Sequence, residues 1–108
     1  MTGIALPPPI DRFVAAVNAG DTAGFLACFT ADARLNDWGR RFAGQNEIRQ
    51  WSDAEFIGAR GRLTPLRLDQ AAGLLVLYGH WASKVFTGNS NFSFDIHDGL
   101  IREMRITG

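Results

Sequence analysis

Four side chains in this sequence could carry acid–base or nucleophilic chemistry, and each sits among apolar neighbours. Asp37 closes the stretch Leu35-Asn36-Asp37 and is followed by Trp38 and then Gly39. A carboxylate in an apolar mouth holds its proton more tightly and can act as a base toward a carbon acid. The same position also suits a turn aspartate that accepts backbone hydrogen bonds ahead of Gly39. Glu55 shares the spacing of Ile48 and Trp51, on the face of a helix where a charge is costly unless paired. It is either a second pocket carboxylate or a partner of Arg40 or Arg41. The plainer reading, a helix-edge glutamate whose carboxylate reaches solvent, is preferred.

His80 lies between Gly79 and Trp81 inside a long apolar segment. Histidine titrates near neutrality, so it could serve as an acid or base. A lone strand histidine is more often an interface or core residue with one satisfied nitrogen. Cys28, beside Phe29, reads as a small buried hydrophobe with no base near it in sequence. Two histidines and one cysteine without metal-ligand spacing make no metal centre. No glycine-rich phosphate loop and no Ser-His-Asp pattern is present, so no cofactor is expected.

Aromatic residues are the strongest positive signal. Phe13, Phe25, Phe29, Trp38, Phe42, Trp51, Phe56, Tyr78 and Trp81 are spread over nearly every segment. Most must be ordinary core. A few, with Trp38 and Trp51 foremost, could hold a flat apolar ligand by stacking.

The elements that must position these groups follow from periodicity. Pro7, Pro8 and Pro9 end a short leader over residues 1–7, and Ile10, Phe13, Val14 and Val17 then mark one apolar helix face. Asn18-Ala19-Gly20 stops that helix, and Asp21 caps a shorter one carrying Phe25, Leu26 and Phe29. Helices are expected near 8–19, 21–29 and 45–58, with a short strand from Ala33 to Asp37 and a turn at Trp38-Gly39. Four long antiparallel strands should occupy Arg62 to Thr107. Pro65 requires an edge or bulge in the first of them, and Leu74–Phe86 is apolar on both faces. Asn91–His97 alternates, and Asp98-Gly99 is a tight-hairpin pair. Helices first and a strand meander last means α+β, a curved antiparallel sheet whose concave face is packed by three N-terminal helices. The mouth of such a cone is a natural small-molecule pocket.

The chain has 108 residues, 46% hydrophobic and 20% charged, with 11 basic against 11 acidic side chains. That length and composition suit one folded domain over 1–108 and rule out disorder. Zero net charge argues against nucleic-acid binding, which normally uses a basic stripe. A single cysteine forbids an internal disulfide, and a reducing cytoplasm is the simplest setting. No apolar run is long enough to span a bilayer. The N-terminal segment lacks the charged and apolar regions of a secretory signal.

In order and spacing the chain resembles the nuclear transport factor 2-like superfamily, in its SnoaL-like branch. The resemblance runs through Phe13–Asp21 at the first helix corner and Phe29–Ala33 at the strand entry. It continues at Phe42-Ala43-Gly44 with Ile48 and Trp51, and in the final hairpin Asp98-Gly99-Leu100-Ile101. It implies the cone fold but not one activity, because the superfamily holds isomerases, polyketide cyclases, dehydratases, epoxide hydrolases and non-catalytic binding modules. By resemblance Asp37 falls where ketosteroid isomerases keep their general base. Their oxyanion tyrosine corresponds to Phe13, and their second donor falls near Phe92-Ser93-Phe94, where no carboxyl exists. Ketosteroid isomerisation is therefore not expected, since an oxyanion donor is worth about a hundredfold or more. Scytalone dehydratases pair an aspartate with sheet histidines, which would make Asp37 with His80 an acid–base pair.

Three functions remain: a proton-transfer enzyme (isomerase, cyclase or dehydratase) using Asp37, a small apolar-ligand binding module, and a dimerisation domain. The missing oxyanion donors favour the last two. The expected pocket gathers Asp37 with Phe13, Trp38, Trp51 and Phe56, with Arg40 and Glu55 at its edge. The two-sided apolar segment Leu74–Phe86 predicts a homodimer through the uncovered sheet face.

Overall fold

The computed structural model describes residues 4–108, so Met1–Gly3 of the expected leader lie outside the described residues. Three helices, α1 (Ile10–Ala19), α2 (Thr22–Leu26) and α3 (Gly44–Glu55), cover one face of a six-stranded curved sheet. The strands are β1 (Phe29–Asp37), β2 (Arg40–Ala43), β3 (Arg62–Ala71), β4 (Leu74–Ala82), β5 (Thr87–His97) and β6 (Leu100–Thr107). They lie in the order β2-β1-β6-β5-β4-β3.

The α+β cone is thus present, with the four long strands β3 to β6 joined as an antiparallel meander. The sheet is mixed, because β1 runs parallel to β6. No hairpin joins that pair. The whole chain from β2 to β5 intervenes, and the last strand returns in the direction of the first. Pro65 sits on the edge strand β3, at a register shift between Pro65 and Arg67, where its missing N–H breaks no interior ladder.

Local sequence sets the element ends. The α1 helix ends on Gly20, left-handed at φ 69°, and Asp21 accepts the Gly24 N–H as cap of α2 at 3.0 Å. The Asn18 side chain bonds both the N–H and the C=O of Leu63, tying the end of α1 to β3. The α2 helix is shorter than 21–29, because Phe29 already begins β1. The α3 helix stops at Glu55 rather than near 58. Phe56 leaves helical geometry there (φ −119°, ψ −90°), and a single 3-10 turn, Ile57–Ala59, follows. At that break a Cβ on Gly58 would stand 1.6 Å from the Asp53 carbonyl oxygen, so only glycine lets the chain pass.

The segment expected as one strand over Leu74–Phe86 ends at Ala82. The Ser83 hydroxyl accepts the N–H groups of Val85 and Phe86, folding residues 83–86 into a turn. The next strand consequently begins at Thr87, four residues before the expected Asn91.

The core is a cluster of rings and aliphatic side chains between helices and sheet. Phe13, fully buried, lies 5.1–6.5 Å by ring centroid from Phe25, Phe29, Phe56, Phe92 and Phe94. Cys28 is buried in the same cluster, its Sγ donating to the Gly24 carbonyl, and burial pushes its thiol pKa up. Among the described residues no helix is long and apolar enough to cross a membrane.

Candidate functional site

The β1–β2 hairpin builds the site. Its loop is the two residues Trp38 and Gly39, both at positive φ (53° and 90°), the pattern of a type I′ turn. The Asn36 carboxamide accepts the Gly39 N–H at 2.7 Å and holds that turn. Strand pairing then sets Asp37 directly opposite Arg40, and opposite Ile106 of β6 on its other side.

From the helical layer, the Trp51 indole N–H of α3 donates to Asp37 Oδ2 at 3.0 Å, and the Arg40 Nη2 donates to the same oxygen. Arg40 also grips Glu55 with both terminal nitrogens, at 2.9 and 2.6 Å. Glu55 is therefore neither isolated nor simply solvated. It pairs with the Arg40 guanidinium, which also holds Asp37. Among the described residues no protein donor reaches Asp37 Oδ1.

These groups open onto a cavity of about 240 Å³. Its helix-side wall is Trp51 and Phe56, and its sheet floor is Trp81, Ser90, Phe92 and Ile106. Its mouth is formed by the two turns, with Trp38 from one and Val85 and Phe86 from the other. Trp51, Phe56 and Trp81 form a stacked row, with centroids 4.8 and 4.6 Å apart. The Asp37 side chain is only 14% exposed, whereas Trp38 is 62% exposed. The Ser90 hydroxyl, in a residue 4% exposed, has no hydrogen-bond partner among the described residues.

Six sequence-designated residues, Asp37, Trp38, Arg40, Trp51, Glu55 and Phe56, are brought together here. Phe13 is not. It lies deeper, behind Phe56 and Phe92, which touch both its ring and the cavity. His80 is not either. Strand alternation puts Leu77 and Trp81 on the inner side of β4 and sends His80 to the outer side, where its Nδ1 meets Asn89 Oδ1 at 2.9 Å. An Asp37–His80 acid–base pair is therefore not formed.

Sequence reasoning left out Ser90, Phe92, Val85, Phe86 and Ile106 as lining residues. For Ser90 the available signal was the inward period Ser90, Phe92, Phe94, which begins before the Asn91 start assigned to that strand. Among the described residues no group of His, Cys, Asp and Glu is placed to hold a metal ion.

Arginine pairing acts on the titration of Glu55. Hydrogen bonds from Arg40 hold the Glu55 carboxyl below the usual carboxylate range. Because the folded value is the lower one, the pair contributes fully above the ordinary range near about 4.3 and is lost as pH falls through the lowered value. Arg40→Met should return the Glu55 midpoint upward to that range. A carbon-13 titration of the Glu55 carboxyl from about pH 2 to 7 reads this, and an unmoved midpoint would contradict the clamp.

Trp38 occupies a backbone conformation that side chains other than Gly, Asn and Asp rarely adopt, at a cost of about 1–2 kcal/mol. Trp38→Asn should make the protein about 1 kcal/mol more stable in urea while weakening whatever the mouth binds. A less stable variant would show that the indole is there for packing.

A six-stranded curved sheet closed by three helices, with a cavity between helix and sheet, defines the nuclear transport factor 2-like class of fold. The chain belongs to the SnoaL-like domain family, whose profile matches residues 10–104. Among solved structures it is similar to a candidate polyketide cyclase from Sinorhizobium meliloti. That pair shares 24% identity over 94% of this chain and 95% of the other, with TM-score 0.86. It is also similar to a computationally designed 17-OHP binder, at 17% identity over 92% and 86% of the two chains, TM-score 0.79. A third likeness is to the Orange Carotenoid Protein of Anabaena (Nostoc) sp. PCC 7120 binding canthaxanthin. There the identity is 18%, covering 98% of this chain and 38% of that one, TM-score 0.79. A search of the curated proteins returns no match. At these identities the likenesses establish the fold.

Proposed function

We propose that this domain binds a small, largely apolar molecule in the cavity between α3 and the sheet. The observation that carries the reading is the composition of that cavity. Rings and aliphatic groups make most of its wall, and Asp37, Arg40, Glu55 and Ser90 are its polar groups. Apolar enclosure with a few convergent polar groups is the usual make-up of a small-molecule site. The likeness to a designed 17-OHP binder, and to a part of a canthaxanthin-binding protein, supports this reading. Trp38, Trp51, Phe56, Arg40 and Glu55 are the proposed contact residues.

The test is a panel of small aromatic and alicyclic compounds followed by tryptophan fluorescence and calorimetry. Saturable one-to-one binding that perturbs Trp38 or Trp51 is the expected result. No saturable signal at millimolar concentration would remove the proposal.

A catalytic reading has one observation in its favour. Asp37 Oδ1 is free beside a cavity that also holds the unpartnered Ser90 hydroxyl, giving an acceptor for a carbon-bound proton and a donor for a developing oxyanion. Incorporation of solvent deuterium next to the carbonyl of a bound cyclic ketone would reveal it. Loss of that exchange in Asp37→Asn would assign the base.

The uncovered sheet face supports a homodimer. Leu74, Val76 and Tyr78 form an outward, half-buried row on β4, and Arg67 lies 4.2 Å over the Tyr78 ring. The row is narrower than a strand through Phe86 would have made it, because that segment turns away after Ala82. Sedimentation should show a dimer at high micromolar concentration and a monomer for Tyr78→Asp. A wild-type monomer would end the idea.

A further inference from the structure

An apolar ligand explains the rings of the cavity but leaves its charges without a purpose. Two carboxyl groups, Asp37 and Glu55, and one guanidinium, Arg40, stand at the rim. Arg40 is already engaged: its two terminal nitrogens donate to Asp37 Oδ2 and to both oxygens of Glu55. It is therefore poorly placed to receive an anion. The site therefore holds one carboxyl group more than it has guanidinium groups, and the acceptor left without a protein donor is Asp37 Oδ1.

The rings that line this cavity differ in how they are packed. Trp51, Phe56 and Trp81 are stacked on one another, and Phe92 lies against Phe13 and Phe56. Trp38 and Phe86 have no ring partner among the described residues and are half exposed or more. They stand on separate turns, the β1–β2 and the β4–β5 connections, and line the same opening as Asp37. The electron-rich face of an indole or phenyl ring attracts a cation, and such rings joined to a carboxylate are the recognised means of holding an alkylated ammonium.

We propose that the ligand class is a small organic cation, a tertiary or quaternary ammonium with apolar substituents. Its charge lies against Asp37 Oδ1, and its substituents contact Trp38 and Phe86. This inference rests on the reading that the cavity is a ligand site, and it specifies the ligand's charge. A neutral apolar molecule would use the rings alone. A simple metal cation would use the carboxylates alone and gain little from the rings. The alkylated ammonium uses both, and it can shed its weakly held hydration on entering the mouth.

The experiment compares choline with 3,3-dimethylbutan-1-ol, which has the same shape without the charge. Binding is followed by the indole N–H resonances of the full chain, with the neutral panel used above run alongside. Choline should perturb the Trp38 and Trp51 signals and bind at least tenfold tighter than the alcohol. Asp37→Asn should narrow that ratio, and Phe86→Leu, at an exposed position that folding tolerates, should lower choline affinity more than that of the alcohol. Alcohol binding as tight as choline overturns the cation and leaves the cavity reading standing. Binding by the neutral panel without any by choline does the same. Silence from choline, alcohol and panel together overturns both.

Discussion

Phe13→Ala should destabilise this domain by about 3–5 kcal/mol, the range for truncating a fully buried phenylalanine. The ring is 0% exposed and touches five other phenylalanines, drawn from α2, β1, β5 and the break after α3. Several of those neighbours are anchored by strand pairing, so the void cannot collapse cheaply. Domains of this size are stable by only about 5–15 kcal/mol, so the variant should lose about a fifth of its stability or more. Urea unfolding of wild type and variant measures this. A loss under about 1.5 kcal/mol would mean that the surrounding rings close the gap, and that Phe13 is not the hub of the core. The prediction also separates core from site. Phe13 does not line the cavity, so under folding conditions any weakening of ligand binding should come only through Phe56 and Phe92, which it supports.

The second large effect is expected at Ser90. Its hydroxyl faces the cavity from the sheet floor with no partner, in a residue only 4% exposed. Ser90→Leu removes that hydroxyl and adds apolar volume inside a space of about 240 Å³. Burying further methylene groups is worth about 0.8 kcal/mol each. The variant should therefore be as stable as wild type or about 1 kcal/mol more so, while binding of cavity ligands falls tenfold or more. Thermal unfolding and ligand titration on the same sample measure both. A variant that keeps wild-type affinity would show that ligands do not enter past the mouth. One that is strongly destabilised would show that the hydroxyl serves the fold.

Much of the site was legible because it is short in sequence. Asp37, Trp38 and Arg40 belong to one hairpin, and Trp51, Glu55 and Phe56 to one helix and its end. A two-residue turn and a helical period of three or four residues are local rules, and they place each group on the correct face. The pairing of Glu55 with Arg40 was open as one of several readings because it joins residues 15 apart, and no local rule selects among neighbouring arginines. The Leu74–Phe86 segment misled for a related reason. Its apolar alternation continues past Ala82, but the Ser83 hydroxyl captures the next amides and turns the chain, so Val85 and Phe86 become the cavity mouth instead of sheet.

The sequence by itself determined the α+β class, the helix corner at Gly20-Asp21, the placing of Pro65 at an edge or bulge and the final hairpin. Each depends on backbone preferences or on a hydrophobic period within about ten residues. Only the tertiary structure decided that β1 runs parallel to β6, that His80 faces away from Asp37, and that Phe13 lies behind the cavity wall. Those are questions of which surfaces meet across the sheet. The register of non-neighbouring strands answers them, and one step of strand alternation is enough to move a side chain from the cavity to the opposite face.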